Sequence, residues 1–116
     1  VNISSIYGLV GPDWSIYQDT SLGNPAAYAA SKGGLIQLTR WLATTLAPEV
    51  RVNALALGGI ARGQPPAFLH EYCRRTPLGR MAVEDDVSGP ALFLASEQSR
   101  YVTGQVLAVD GGWTSW

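Results

Sequence analysis

The sequence predicts an α/β fold in which crossover helices join the strands of a parallel sheet. Three segments have the character of strands. Residues 1–5 alternate branched apolar and small polar side chains, residues 50–57 are apolar almost throughout, and residues 103–112 end in a pair of glycines. A continuous apolar run is typical of a strand covered on both faces. Because helical segments separate these strands, the order strand, helix, strand, helix, strand indicates parallel pairing.

The first helix is predicted between residues 24 and 47. Asn24 is a capping residue, Pro25 fits the first helical position, and Pro48 would end the helix after Ala47. Four leucines recur at helical spacing, and we expect this stripe to pack on the sheet: Leu35, Leu38, Leu42 and Leu46.

Two further helices and one long loop complete the pattern. A short helix reaches about Arg75, and the acidic residues 84–86 favour the start of another. Residues 6–24 mix glycine, proline and aromatic residues too irregularly for either regular structure. Loops of this length in small domains tend to be functional.

Composition excludes several classes of function. The 116 residues are 47% apolar and carry a net charge of −1 with the two signs interspersed, so we predict no nucleic-acid or membrane partner. Cys73 is the only cysteine, which excludes an internal disulfide and a cysteine-based metal cluster. A single free cysteine is compatible with a reducing compartment. We therefore expect a cytoplasmic protein without a metal site.

Tyr28 and Lys32 lie one helical turn apart on the side of the leucine stripe, so both are expected to face the core. An inward-facing lysine is costly unless it finds hydrogen-bond partners or loses its proton. An ammonium group beside a phenol favours the phenolate, which suits proton exchange near neutral pH. In the alternative interpretation Tyr28 only packs and Lys32 extends along the surface to solvent.

Ser5 ends the first strand just before the long loop. In a parallel sheet a serine there can reach the start of the next helix, where its hydroxyl could donate to a substrate oxygen. The alternative is a turn residue that bonds its own backbone.

These residues together resemble the short-chain dehydrogenase/reductase family. The resemblance lies in Ser5, in Tyr28-Ala-Ala-Ser-Lys32, in VRVNALALGGI at residues 50–60 and in YVTGQVLAVDGG at residues 101–112. It implies that residues 1–116 are the C-terminal catalytic half of a single Rossmann-type domain. Such a domain is a doubly wound parallel sheet, and its N-terminal strands are absent from this chain.

The resemblance also implies an oxidoreductase that uses NAD or NADP and is a dimer or tetramer of identical subunits. Tyr28 would exchange a proton with the substrate oxygen, and Ser5 would orient the carbonyl. Lys32 would favour ionisation of Tyr28 and bind the ribose hydroxyls of the nicotinamide half. The backbone that would hold the nicotinamide carboxamide comprises Gly58, Gly59 and Ile60, where glycine lets the chain approach the ligand.

The chain departs from the family pattern in several places. Leu57 stands where proline is usual and Arg62 where threonine is usual. Ser5 and Tyr28 are farther apart than is common, so residues 13–24 are expected to enlarge the rim of the substrate site. The glycine-rich phosphate-binding turn, the residue that selects NAD or NADP and the family's asparagine are not among these residues, so we expect the chain alone to be inactive.

A looser resemblance concerns the substrate. Residues 6–28 and 58–82 are similar to members from bacterial surface-polysaccharide and nonulosonic-acid pathways, including flagellin-sugar modification, which implies a small, sugar-like substrate. Four side chains would offer donors to an anionic or polyhydroxylated molecule, or would simply form a solvated helix surface: Gln64, His70, Arg74 and Arg75.

Two alternatives to the oxidoreductase stay open. A sugar-nucleotide epimerase or dehydratase shares the Tyr-x-x-x-Lys pair but usually has a larger C-terminal substrate domain. A non-catalytic truncated remnant would have no affinity for a nicotinamide cofactor.

Overall fold

Three short strands form one parallel sheet in the order β1-β2-β3. The computed structural model describes residues 1–116, with β1 at Asn2–Ser5, β2 at Ala54–Leu57 and β3 at Val106–Val109. Ser5 pairs with Leu57, which pairs with Val109, so the carboxyl ends of all three strands lie level. The predicted parallel α/β fold is confirmed.

Three α-helices connect or flank the strands: α1 spans Ala26–Thr45, α2 spans Pro66–Arg75 and α3 spans Glu84–Ala95. The starts of α1 and α3 and the end of α2 lie close to their predicted positions. The acidic first turn of α3 includes Asp86, whose carboxylate accepts a hydrogen bond from the backbone N–H of Val83. None of these helices is both long enough and apolar enough to cross a membrane.

The second strand is shorter than predicted. Residues 50–53 lie outside β2, and Val52 and Asn53 are held by the loop before β3 instead. The Val52 N–H donates to the Thr103 hydroxyl at 3.0 Å, and the Asn53 amide donates to the Val102 carbonyl at 2.9 Å. The carbonyls of both residues also accept backbone hydrogen bonds, from Gly104 and Asn2, and both residues are buried.

The face of α1 that packs on the sheet differs from the predicted leucine stripe. Its buried residues are Ile36, Thr39 and Ala43, whereas Leu38 is 46% exposed. Thr39 accepts a hydrogen bond from the Asn2 side chain in β1 at 2.9 Å. Small and polar side chains let the helix approach a strand that itself carries polar groups, and the leucines therefore lie on the neighbouring face.

The start of α1 also differs from the prediction, because Asn24 does not cap the helix. The residue that precedes the first helical turn is Pro25, which has an extended backbone and can provide no side-chain hydrogen bond. The Asn24 amide is buried, and neither its nitrogen nor its oxygen has a partner within the chain. The predicted C-terminal end is nearly right, since α1 ends at Thr45, three residues before Pro48.

The long loop over residues 6–24 contributes directly to the hydrophobic core. It contains two short 3-10 turns, Ile6–Gly8 and Trp14–Tyr17, rather than irregular backbone throughout. Ile16 on the second turn is 1% exposed. The cluster that it joins draws on the loop, on α2 and on the C-terminal turn: Ile6, Ile16, Phe68, Tyr72, Met81 and Trp113. Residues 13–24 are thus a packed element and more than a rim.

Arg51 fastens the end of α3 to the loop that leads into β3. Its guanidinium group donates four hydrogen bonds at 2.9–3.2 Å, to the Ser99 hydroxyl and to the carbonyls of Leu94, Ser96 and Val102. Carbonyls at a helix C-terminus have no partner within the helix, and Arg51 supplies that partner.

We predict that Arg51→Ala lowers the free energy of unfolding by about 2 to 4 kcal/mol, because it removes four charged hydrogen bonds that join the end of α3 to the loop before β3. Arg40→Ala is the matched control, since Arg40 is exposed on α1 and bonds only Gln37, and we expect a change below about 0.5 kcal/mol. Urea unfolding followed by circular dichroism measures both. Equal losses in the two variants would show that Arg51 has no such role.

Candidate active site

A cavity of about 420 Å³ opens beyond the carboxyl ends of β1 and β2, next to the start of α1. In an open parallel sheet this is the position at which ligands bind. Four of the predicted site residues line it: Ser5, Tyr28, Gly58 and Gly59. Lys32 and Ile60 lie outside its lining.

Ser5 is 6% exposed, and its hydroxyl is already partly engaged. The oxygen accepts a hydrogen bond from the Tyr7 N–H at 3.2 Å and so begins the 3-10 turn that follows β1. Ser5 therefore bonds the backbone of its own turn, as the alternative interpretation of this residue predicts. The hydroxyl proton is still available, because this contact uses only the acceptor function.

Tyr28 and Lys32 occupy different environments on α1. Lys32 lies on the face that packs against β1 and is half-buried, as predicted, whereas Tyr28 is 42% exposed and lines the open side of the cavity. The expectation that both side chains face the core is thus wrong for Tyr28. The Lys32 ammonium nitrogen lies 5.6 Å from the centre of the Tyr28 ring. That distance is within the range of a cation–π contact.

Lys32 also joins α1 to β1 through its backbone and its side chain. Its ammonium group donates to the Ile3 carbonyl at 3.0 Å, and its own carbonyl accepts from the Ser4 hydroxyl at 2.9 Å. Gly8 approaches the same point so closely that a Cβ atom there would lie 2.7 Å from the Lys32 carbonyl carbon. Only glycine fits in this position. These contacts fix the helix that carries Tyr28 relative to the strand that carries Ser5.

Comparison with known proteins identifies the family. The family described as enoyl-(acyl carrier protein) reductase matches residues 14–114. The chain belongs to the short-chain dehydrogenases/reductases. Post-translational flagellin modification protein A of Campylobacter coli is 39% identical over 114 residues, which are 97% of this chain and 44% of that protein.

Solved structures of short-chain dehydrogenases give the same result. The enzyme from Leptospira borgpetersenii with bound NAD⁺ is 44% identical with a TM-score of 0.91, over 97% of this chain and 43% of the other. A gluconate 5-dehydrogenase from Burkholderia cenocepacia, in complex with NADP and tartrate, is 35% identical with a TM-score of 0.82. The match covers 99% of this chain and 44% of the other. The Rossmann-type fold class is thereby confirmed. The chain spans less than half the length of these relatives.

In this dehydrogenase/reductase chain the two glycines after β2, Gly58 and Gly59, lie where other parts of the chain leave no room for a side chain. A Cβ atom on Gly59 would lie 2.8 Å from the Tyr72 ring, and one on Gly58 would lie 2.8 Å from the Asp110 Cα. The Gly59 N–H donates to the Tyr72 hydroxyl at 2.5 Å. The Ile60 N–H has no acceptor within the chain, so it is the backbone donor of this loop that a carboxamide oxygen could use. The loop therefore has one free backbone donor of the kind that a carboxamide needs.

Two residues of the cavity wall were not singled out from the sequence as site residues, Tyr7 and Tyr17. Both line the cavity, and their hydroxyls are hydrogen-bonded to each other at 2.6 Å. Burial, and the hydrogen bond that Tyr7 makes with Tyr17, raise the pKa of Tyr7 well above its ordinary value, and burial also raises the pKa of Tyr17. The aromatic residues concentrated in the long loop are the sequence feature from which these two cavity residues could have been predicted.

Of the four side chains that were predicted to offer donors to the substrate, only Gln64 lines the cavity. His70 and Arg74 both contact Glu71 on the surface of α2, and Arg75 bonds Asp13 at 3.2 Å. Gln64 lines the cavity, but its amide already bonds the backbone of Ile60 and Arg62.

A second cavity, of about 440 Å³, lies beyond the end of β3. Its carboxylates have structural partners. Burial opposes ionisation of Asp110, but hydrogen bonds from Thr114 and Gly112 hold its pKa below the usual value. Asp86 bonds Arg80 and Val83. This cavity contains none of the predicted catalytic residues.

Proposed function

We propose that the protein carrying this chain is an NAD(P)-dependent oxidoreductase that interconverts an alcohol and a carbonyl on a small, sugar-like substrate. Residues 1–116 would be the C-terminal catalytic half of its single Rossmann-type domain. The observation that carries this proposal is that Ser5 and Tyr28 line one cavity beyond the sheet, with Lys32 one helical turn from Tyr28.

In this proposal Ser5, Tyr28 and Lys32 form a proton relay. Tyr28 gives a proton to the substrate oxygen during carbonyl reduction and takes it back during alcohol oxidation. Ser5 donates its free proton to the same oxygen and so orients the carbonyl. Lys32 supplies positive charge beside the Tyr28 ring and a donor for ribose hydroxyls. It would exchange its bond with the Ile3 carbonyl for these ligands.

The cofactor would be held by Tyr28, Lys32 and the loop of Gly58, Gly59 and Ile60. When bound, its nicotinamide ring carries the hydride that leaves or enters the substrate carbon. Within that loop Gly59 bonds Tyr72, and the free Ile60 N–H would hold the carboxamide. The NAD⁺ and NADP in the two related structures support either cofactor.

We also propose that the protein is a cytoplasmic homo-oligomer, a dimer or a tetramer. On α1, Trp41 is 59% exposed and Leu38 46% exposed on the face turned away from the sheet, and association with a second copy would remove this surface from water. A molar mass of one subunit by light scattering would contradict the proposal.

We predict that Tyr28→Phe lowers kcat by at least about a hundredfold, because only the proton-transferring hydroxyl is removed. Cofactor affinity should change by less than about twofold, since the ring remains in place. Steady-state kinetics and fluorescence titration of NADH measure the two quantities in the whole gene product. The control is Tyr101→Phe, which changes a fully exposed tyrosine far from the cavity. A Tyr28→Phe enzyme with more than about a tenth of the wild-type kcat would contradict the assignment.

The 116-residue chain by itself should not bind the cofactor. It has no glycine-rich phosphate-binding turn, and the outer edge of β1 has no partner strand. Titration of the isolated chain with NADH and NADPH tests this expectation. Micromolar affinity for either cofactor would refute it.

A further inference from the structure

The cavity wall that this chain supplies contains no charged side chain. Its polar members are hydroxyls and amides, and the remainder are glycine, proline and apolar residues. Two nearby cations are engaged elsewhere. Arg75 bonds Asp13, and Lys32 lies outside the cavity lining, where it bonds the Ile3 carbonyl and would bind the cofactor ribose in the complete enzyme.

An uncharged wall discriminates between substrates by charge. A carboxylate or phosphate that enters such a cavity loses hydration and finds no counter-charge among the residues of this chain, which is unfavourable. A hydroxyl group needs only one donor or acceptor to replace its water. The cavity is therefore better suited to a neutral polyhydroxylated molecule than to a sugar acid.

The phenol pair provides the polar contact that a hydroxyl needs. One phenolic proton makes the 2.6 Å bond between Tyr7 and Tyr17, and nothing else in the chain accepts the other. Both oxygens retain acceptor capacity. Because burial raises the pKa of both phenols, the pair stays neutral and keeps its free donor across the physiological range. Tyr17 also packs against Phe68 with ring centres 5.4 Å apart, so an apolar surface adjoins this donor.

We propose that this site selects an uncharged substrate that carries a second hydroxyl group besides the reacting one, and that the Tyr7–Tyr17 pair binds that second hydroxyl. The proposal rests on the oxidoreductase function proposed above and specifies its substrate class. It distinguishes this chain from the related gluconate 5-dehydrogenase, which was solved with the dianion tartrate.

The first test compares matched substrates with the whole gene product. Galactitol is paired with galactonate, and xylitol with xylonate, because each pair differs mainly in one carboxylate. We expect kcat/KM to be at least about tenfold higher for the polyol of each pair. Leu22, at the exposed rim, allows the preference to be changed. Leu22→Lys should shift the ratio toward the carboxylates about tenfold relative to Leu22→Gln, because it supplies the missing counter-charge.

The second test concerns the phenol pair. Either phenol can hold the free proton, so the test removes both hydroxyls. The double variant Tyr7→Phe/Tyr17→Phe should lower kcat/KM about tenfold for 1,2-cyclohexanediol and less than about twofold for cyclohexanol, which lacks the second hydroxyl. Tyr101→Phe should leave both values unchanged. Thermal unfolding of each variant shows whether a loss reflects stability, which would affect the two alcohols equally.

The outcomes separate this inference from the proposed function. Turnover of the aldonates at or above the rate of the polyols overturns the inference and leaves the oxidoreductase intact. An equal effect of the double variant Tyr7→Phe/Tyr17→Phe on the diol and on cyclohexanol also overturns it. If NAD⁺ and NADP⁺ are reduced with no alcohol of the panel, and NADH and NADPH are oxidised with none of the corresponding ketones, the proposed function fails and this inference with it.

Discussion

The contact between β1 and α1 at Lys32 is the constraint on which the rest of the site depends. The Lys32 backbone carbonyl accepts a hydrogen bond from the Ser4 hydroxyl, and Gly8 packs directly on the same carbonyl. Both contacts lie between α1 and the chain around β1, so they do not depend on the free outer edge of the sheet. One residue thus joins the helix to the strand, and this contact sets the positions of Ser5 and Tyr28.

The far side of the cavity is held by a second connection, between Tyr72 and Gly59. Burial raises the pKa of Tyr72 to about 12, so its hydroxyl stays neutral while it accepts from the Gly59 N–H. The Tyr72 ring stacks on Trp113 with centres 4.4 Å apart. The loop after β2 is in this way supported by α2 and by the C-terminal turn together, and a change in either would move the Ile60 donor.

Much of the fold could be predicted because it rests on strong local patterns. The alternation of strands and helices and the acidic start of α3 both follow from composition and order. The packed face of α1 could not be predicted from apolar spacing. There the helix approaches a polar strand through Thr39 and Ala43, and that choice depends on the partner strand. Asn24 failed as a cap for a similar reason, since Pro25 already supplies the extended residue before the helix.

The placement of Ser5 and Tyr28 beside one cavity could be predicted, because it follows from the end of a strand and the start of the next helix, and helical spacing places Lys32 near Tyr28. The Tyr7–Tyr17 pair depends on two 3-10 turns that bring residues ten positions apart within 2.6 Å, and no sequence period encodes that approach. The glycines after β2 were singled out for close approach of a cofactor, whereas the close approach that the structure describes is to other parts of the chain. Their nearest neighbours in the structure are Tyr72, Met81 and Asp110.

A double-mutant cycle on kcat tests the central claim most directly, namely that the Lys32 contact holds Ser5 and Tyr28 so that they act on one substrate oxygen. Ser5→Ala, Tyr28→Phe and the double variant would be compared in the whole gene product with the same alcohol. Residues that act as a unit are strongly non-additive, so the double variant should lose about as much activity as the worse single variant. Losses that multiply would show that the two hydroxyls act independently, which would contradict the account.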